Sequence, residues 1–196
     1  MRVFRIPFST NVERVALAAG HKGLEIDWVD VDPHDRSGVE AVSGQQLVPV
    51  LVTDDGEVVV DSPVILDWLE EHFPTPPLLP RDPARRAEVR IFADWFNRVW
   101  KRAPNEIADH GATDALAGEM RAAIRLFETL LHAREYLFEE FGLADVTAFP
   151  FLKYAVLGTQ PGDEDVFHRV LVEHQPLEGE SPLHAWVRRV DAHPRG

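Results

Sequence analysis

Cysteine is absent from this chain of 196 residues. That single absence removes disulfides, thiolate metal sites, cysteine nucleophiles and every CxxC redox mechanism. Positive charge is scarce as well: 20 Lys and Arg stand against 33 Asp and Glu, a net of −13. A nucleic-acid partner needs a basic footprint, and this balance does not provide one. No apolar run approaches the roughly 18 residues that a membrane span requires. Met1-Arg2-Val3 leads directly into strand-like sequence with no signal-peptide pattern, so the expectation is no membrane association and a cytoplasmic location. P-loop, GxGxxG, GxSxG and HExxH patterns are all missing. Glu106/His110 and Glu128/His132 are isolated pairs at helical spacing, solvated faces rather than ligand sets, and no metal site is expected.

What is present is ample apolar material, 45% of residues, for one large domain or two small packed ones. The acidity is uneven. Residues 1–80 hold 14 acids and 5 bases, a net of −9, whereas residues 81–196 hold 19 acids and 15 bases, a net of −4. An anionic ligand of the first part must therefore be held by local donors, because the overall field repels it.

Val3 to Ile6 reads as a strand, and Val12, Val15, Ala16 and Ala19 then recur at helical spacing up to Gly23. Ile26 to Val31 alternates as a second strand, and a short helix is expected around Val39 to Val42. Val48 to Val52 is a buried-strand run, Asp54-Asp55-Gly56 a hairpin turn, and Glu57 to Val60 the returning partner. Ser62 as cap and Pro63 in the first turn open a helix with Ile65, Leu66, Trp68, Leu69 and Phe73 as its apolar stripe. The prolines from Pro74 to Pro83 mark a stiff connector. Beyond it, Ala84 to Lys101, Thr113 to Arg134, Leu143 to Leu157 and Pro182 to Ala192 read as helices, with no strand pairs. Three segments result: an α/β domain over 1–75, a proline-rich linker over 76–83 and an all-helical domain over 84–196.

Three places carry candidate chemistry. Thr10 and Glu13 have the T-x-x-E spacing of a capping box, and Ser9 lies one residue before it, at the positive end of a helix dipole. Val48-Pro49 is either a plain edge-strand proline or a cis bond that turns the Val48 amide and carbonyl toward a cleft. Asp61-Ser62 is either a helix start or a receiver for an amino-acid head group, with the helix amides and Ser62 taking a carboxylate and Asp61 an ammonium.

Taken in order, these segments resemble the glutathione transferase family, in the classes whose active residue is a serine. Phe8-Ser9-Thr10-Asn11-Val12-Glu13-Arg14-Val15 is similar to the Ser-Thr-Asn-Val-x-Arg-Val signature of the phi class, and zeta-like members share the layout. Val48-Pro49-Val50-Leu51 resembles the family's cis-proline element, Asp61-Ser62 its acidic-Ser pair, and Leu143-Ala144-Asp145-Val146 with Pro182-Leu183 and Trp186 its helical part. The resemblance implies a thioredoxin-like βαβ-ββα domain followed by an all-α helical-bundle domain, in a homodimer with the site in the cleft between domains. It implies Ser9 beside the glutathione sulfur, Val48 and Pro49 on the cysteinyl part, and Asp61 and Ser62 on the γ-glutamyl head. Asn11, His34, Arg36, Gln46 and Lys101 are further candidates for glutathione, the co-substrate, and Phe8, Trp95 and Trp100 for the wall of a small-electrophile pocket. Leu47 departs from the pattern, standing where the family commonly has Gln or Lys, and Gly142 stands in place of a Ser or Thr cap. Two other outcomes are compatible with the same residues: a non-catalytic binding or interaction module, and a glutathione-dependent isomerase or dehalogenase.

Overall fold

In the structure, a computed structural model, residues 1–196 are described throughout. They divide into two units, Met1–Leu78 with His193–Gly196, and Leu79–Ala192. The first is built on β1 (Arg2–Arg5), α1 (Thr10–His21), β2 (Asp27–Asp30), α2 (Ser37–Ser43), β3 (Val50–Val52), β4 (Val58–Val60) and α3 (Ser62–His72). The strands form one sheet in the order β2-β1-β3-β4, with β1 parallel to β2 and β3 antiparallel to both β1 and β4. The order is the βαβ-ββα expected of a thioredoxin-like domain.

Side-chain alternation divides the core between the sheet's two faces. Phe4, Val50 and Val52 cluster with Val39 of α2. Val3 and Leu51, fully buried, point the other way, and on that side the small residues Ala16, Ala18 and Ala19 let α1 lie close beside α3.

The last four residues return to this first unit, although the sequence reading placed them with the helical part. Gly196 N–H donates to the Ala16 carbonyl, Trp28 Nε1 donates to the Gly196 carbonyl at 2.6 Å, and Arg195 pairs with Glu13 at 3.0 Å. Gly20 permits this approach, since a Cβ there would lie 2.0 Å from the Pro194 carbonyl oxygen.

The second unit contains α4 (Pro83–Trp95), a π-helical turn (Phe96–Trp100), α5 (Arg102–His110), α6 (Asp114–Leu130), α7 (Leu143–Leu152), α8 (Tyr154–Leu157), α9 (Val166–His174) and α10 (Pro182–Asp191). Four sequence expectations are corrected here. The helix of Ala84 to Lys101 ends in a π turn where Phe96 and Trp100 stack with ring centroids 4.3 Å apart. Leu143 to Leu157 divides at Lys153 into α7 and α8. Two helices, α5 and α9, are additional. The first carries Pro104 in its opening turn, where a missing N–H is harmless, and the second is capped by Asp165, which accepts from Phe167 N–H at 2.8 Å. No helix is long and apolar enough to cross a membrane.

Candidate active site

The first unit brings the N-termini of α1 and α3 together. Ser9, not Thr10, is the N-cap of α1, and its hydroxyl accepts from Val12 N–H at a long 3.4 Å. The T-x-x-E capping box is therefore not formed: Thr10 is buried in the first turn and Glu13 holds Arg195. No group in the chain accepts the Ser9 hydroxyl proton, which leaves that hydroxyl able to donate. Phe8, just before it, is 37% exposed and takes a left-handed φ of 64°.

At the other helix, Asp61 is the N-cap with a φ of 73° and no side-chain capping bond, so the expected Ser62 cap is displaced by one residue. Ser62 lies in the first turn, 1% exposed. Its hydroxyl donates to Asn11 Oδ1 at 3.3 Å and accepts from Arg14 Nη1 at 3.4 Å. Arg14, also 1% exposed, has its pKa lowered to about 9 by desolvation, with the Asp61 carboxylate acting in the opposite direction. It remains a cation at neutral pH. Asn11 and Arg14 stand on α1 and Ser62 on α3, so these hydrogen bonds fasten two positive helix ends at one corner.

The Val48–Pro49 bond is cis, as is Thr75–Pro76. Pro49 is buried and Val48 half-buried just before β3. Exposed Leu47 has its amide and carbonyl taken by the Gln45 side chain. The Gln46 amide group donates to Glu40 at 2.8 Å, and Arg36 donates to the carbonyls of Pro33 and Gln46 at 3.2 and 3.3 Å. His34, exposed, is held by its backbone N–H on Asp32. These three side chains thus belong to the loop around α2, apart from the Asn11–Arg14–Ser62 bonds.

In the second unit, Trp100 is 5% exposed inside an aromatic cluster with Phe96, Phe127 and Phe151, and Trp95 is half-buried beside Phe92. Lys101 Nζ sits 5.0 Å from the Phe151 ring centroid, a cation–π contact. No group of three or more His, Asp or Glu is placed to hold a metal ion.

Arg14, within the Phe8–Val15 segment, joins this corner although its sequence position does not mark it as a site residue. An arginine one turn into a helix, on the same face as buried alanines, was the available signal.

Residues 3–77 match the family model described as glutathione S-transferase, N-terminal domain. The chain is 36% identical over 97 residues to the protein named maleylpyruvate isomerase from a Ralstonia species, covering 47% of this chain and 45% of that one. The match thus spans less than half the length of that curated relative. Among solved structures, a glutathione S-transferase from Rhodospirillum rubrum superposes with a TM-score of 0.73 at 26% identity, over 98% of this chain and 88% of that one. A glutathione S-transferase from Methylobacterium radiotolerans, in complex with glutathione sulfonate, gives a TM-score of 0.66 at 25% identity, over 89% and 87%.

Proposed function

From a chain that belongs to the glutathione S-transferase family, by its N-terminal domain and by the fold of its whole length, we propose an enzyme that activates the glutathione thiol with Ser9 for attack on a small electrophile. The observation that carries this reading is the joined corner of α1 and α3, with the Ser9 hydroxyl at the head of α1 and its proton uncommitted.

A free thiol has a pKa near ~8.5, so only a few per cent is thiolate at neutral pH. Serine is too weak a base to remove the proton. Its hydroxyl donates to the sulfur instead, and the α1 terminus adds its positive potential. A donor and dipole together worth about 2–3 kcal/mol would lower the thiol pKa by roughly two units. The proton leaves to solvent, and the sulfur lone pair then forms a bond to the electrophilic carbon. Val48 would hold the cysteinyl part through its backbone next to Pro49, and Asp61 and Ser62 would receive the γ-glutamyl ammonium and carboxylate. Phe8 offers an apolar surface next to Ser9. A homodimer is part of the same proposal.

The identity to the Ralstonia protein named maleylpyruvate isomerase favours a second reading of the same site. There the thiolate adds to a conjugated cis double bond, rotation follows, and elimination returns glutathione unchanged. Product analysis separates the two, because only transfer consumes glutathione.

Ser9→Ala is expected to lower kcat/KM at neutral pH by about a hundred-fold, the equivalent of roughly two pKa units of lost thiolate stabilisation, with the circular-dichroism spectrum unchanged. Parent-like activity in that variant would remove Ser9 from the mechanism. Absence of glutathione binding by calorimetry at millimolar ligand would leave only the binding-module reading.

A further inference from the structure

The segment His193–Gly196 is packed along α1. Gly196 N–H donates to the Ala16 carbonyl at 3.0 Å and Pro194 lies against Gly20. Residues three or four apart share one helix face, so Ser9, Glu13, Ala16 and Gly20 line the side on which this segment runs. Glu13 is the acid of the first turn, and its own N–H closes the opening hydrogen bond of α1 on the Ser9 carbonyl at 3.0 Å. A carboxylate there opposes the positive potential on which the proposed thiolate depends. Arg195 meets it: Nη2 pairs with Glu13 at 3.0 Å, while Nη1 donates to the His193 carbonyl at 2.6 Å. At 28% and 16% exposure, the two side chains are screened less than a surface pair.

We propose that Arg195 is a positioning residue for thiol activation: by pairing with Glu13 it cancels the carboxylate of the first turn of α1 and keeps that helix end positive for the thiolate at Ser9. The inference rests on the Ser9 reading above. It concerns the sulfur alone and not the Asn11–Arg14–Ser62 bonds. An uncancelled negative charge on the Ser9 face, one turn or about 5 Å along the axis, would raise the thiol pKa. The guanidinium is held independently of Glu13, by the His193 carbonyl and by the docked backbone, where Trp28 Nε1 donates to the Gly196 carbonyl at 2.6 Å. Its charge therefore stays in place when the Glu13 carboxylate is removed. Around the pair stand Arg14 and Asp61 toward the head of α1, and His21, His193 and Lys22 with its partner Glu70 toward the other end. Burial first, and then neighbouring positive charge, hold His21 and His193 below the ordinary 6.5, so both are neutral where the thiol titrates.

The test titrates the thiol of bound glutathione, by the ultraviolet absorbance of its thiolate, in the parent, Arg195→Gln, Glu13→Gln and the double variant. Arg195→Gln is expected to raise that pKa by about half a unit to one unit, the effect of one charge roughly a helical turn away at a dielectric between those of water and protein interior. Glu13→Gln is expected to lower it by a similar amount, because Arg195 remains. The double variant is expected to return to within about a quarter of a unit of the parent, since the net charge is again the same. Both single variants lose the same ion pair, so a purely structural pair would move them in one direction. Opposite signs are the expected result. Shifts of one sign, or no shift in Arg195→Gln, overturn the proposal and leave the Ser9 reading standing if the parent's bound thiol is lowered. If Arg195→Gln does not fold, Glu13→Gln decides: a pKa at or above the parent's overturns the proposal. Bound glutathione that titrates in the parent like the free thiol, near ~8.5, overturns both readings.

Discussion

Two serines that look alike in the sequence, each just before a helical run, do different work in the fold. Ser9 caps α1 from a half-exposed position through one long bond, whereas Ser62 is sealed between Asn11 and Arg14. Their stability effects should separate accordingly. Removing a weakly bonded N-cap costs about 1 kcal/mol or less. Removing the Ser62 hydroxyl takes a hydrogen-bond acceptor from a desolvated guanidinium, at about 2–3 kcal/mol. Urea midpoints of Ser9→Ala and Ser62→Ala at one pH check this, and equal shifts would contradict the buried network. The resemblance pointed to Ser9, Val48, Pro49, Asp61 and Ser62, because each lies at a strand-to-helix or strand boundary with its own local signature. Arg14 could not be read the same way. Its partner is 48 positions distant, and an arginine in a helical run is ordinarily a solvated residue. The capping box failed for a related reason: Glu13 is drawn to Arg195, 182 positions away, and a local spacing rule cannot see that competitor.

The chain's elements were read correctly where hydrophobic period and turn residues agree, as in β3, the Asp54-Asp55-Gly56 turn, β4 and α3. They were missed where tertiary contacts decide. In α9 a run of Val, Phe and Leu is as compatible with a strand as with a helix, and its form is set by packing of Val170 and Leu171 together with the Asp165 cap. The proline connector shows the same principle with a polar group. The sequence accounts for its stiffness by proline alone, and the structure adds a buried lysine that holds its start. Lys22 Nζ donates to Glu70 at 2.6 Å and to the carbonyls of Phe73 and Pro76 at 2.6 and 3.1 Å, while Glu70 also accepts from Leu78 N–H at 2.9 Å. One ammonium thus ties the end of α1 to the end of α3 and to the start of the connector. Lys22→Met would leave the half-buried Glu70 without its cation and two carbonyls without a donor, a loss of about 3 kcal/mol. The expected result is a large fall in the urea midpoint, with new sites of limited proteolysis between residues 73 and 78. Unchanged protection of that segment would show that the prolines suffice.

For the whole molecule, a pH-dependent contribution in the acid-to-neutral range comes from the second unit, from a carboxyl that the sequence placed in a family motif without marking its burial. Asp145 is fully buried at the head of α7 and accepts from Leu137 N–H, Gly142 N–H and Trp186 Nε1, at 3.0, 3.1 and 2.7 Å. Those bonds join the segment before α7, the α7 start and α10, and with Gly142 lacking a side chain, Asp145 supplies the side-chain half of the cap. Burial nevertheless dominates and raises its pKa from 3.8 to about 6, the hydrogen bonds acting in the opposite direction. The folded state therefore binds the Asp145 proton more tightly than the unfolded chain does. Its stabilising contribution is complete below about pH 4 and is lost as pH rises through 6, by about 3 kcal/mol at most. Asp30, Asp35 and Asp55 have lowered values, through hydrogen bonds from Arg5, Ser37 and Thr53 respectively, so their contributions disappear only on acidification below about pH 4, a separate window. His21 and His193, held low by burial, work against Asp145: protonation favours the unfolded chain as pH falls below about 6.5. The raw pH profile mixes these signs, and Asp145→Asn separates them. The variant carries a constant penalty, because its amide group faces a backbone donor. Its stability relative to the parent should rise between pH 4 and pH 6 as the parent's carboxyl ionises, and urea midpoints at half-unit steps would follow that rise. A parent-minus-variant difference that stays flat across the interval would mean that three donors are enough to keep the buried carboxylate charged.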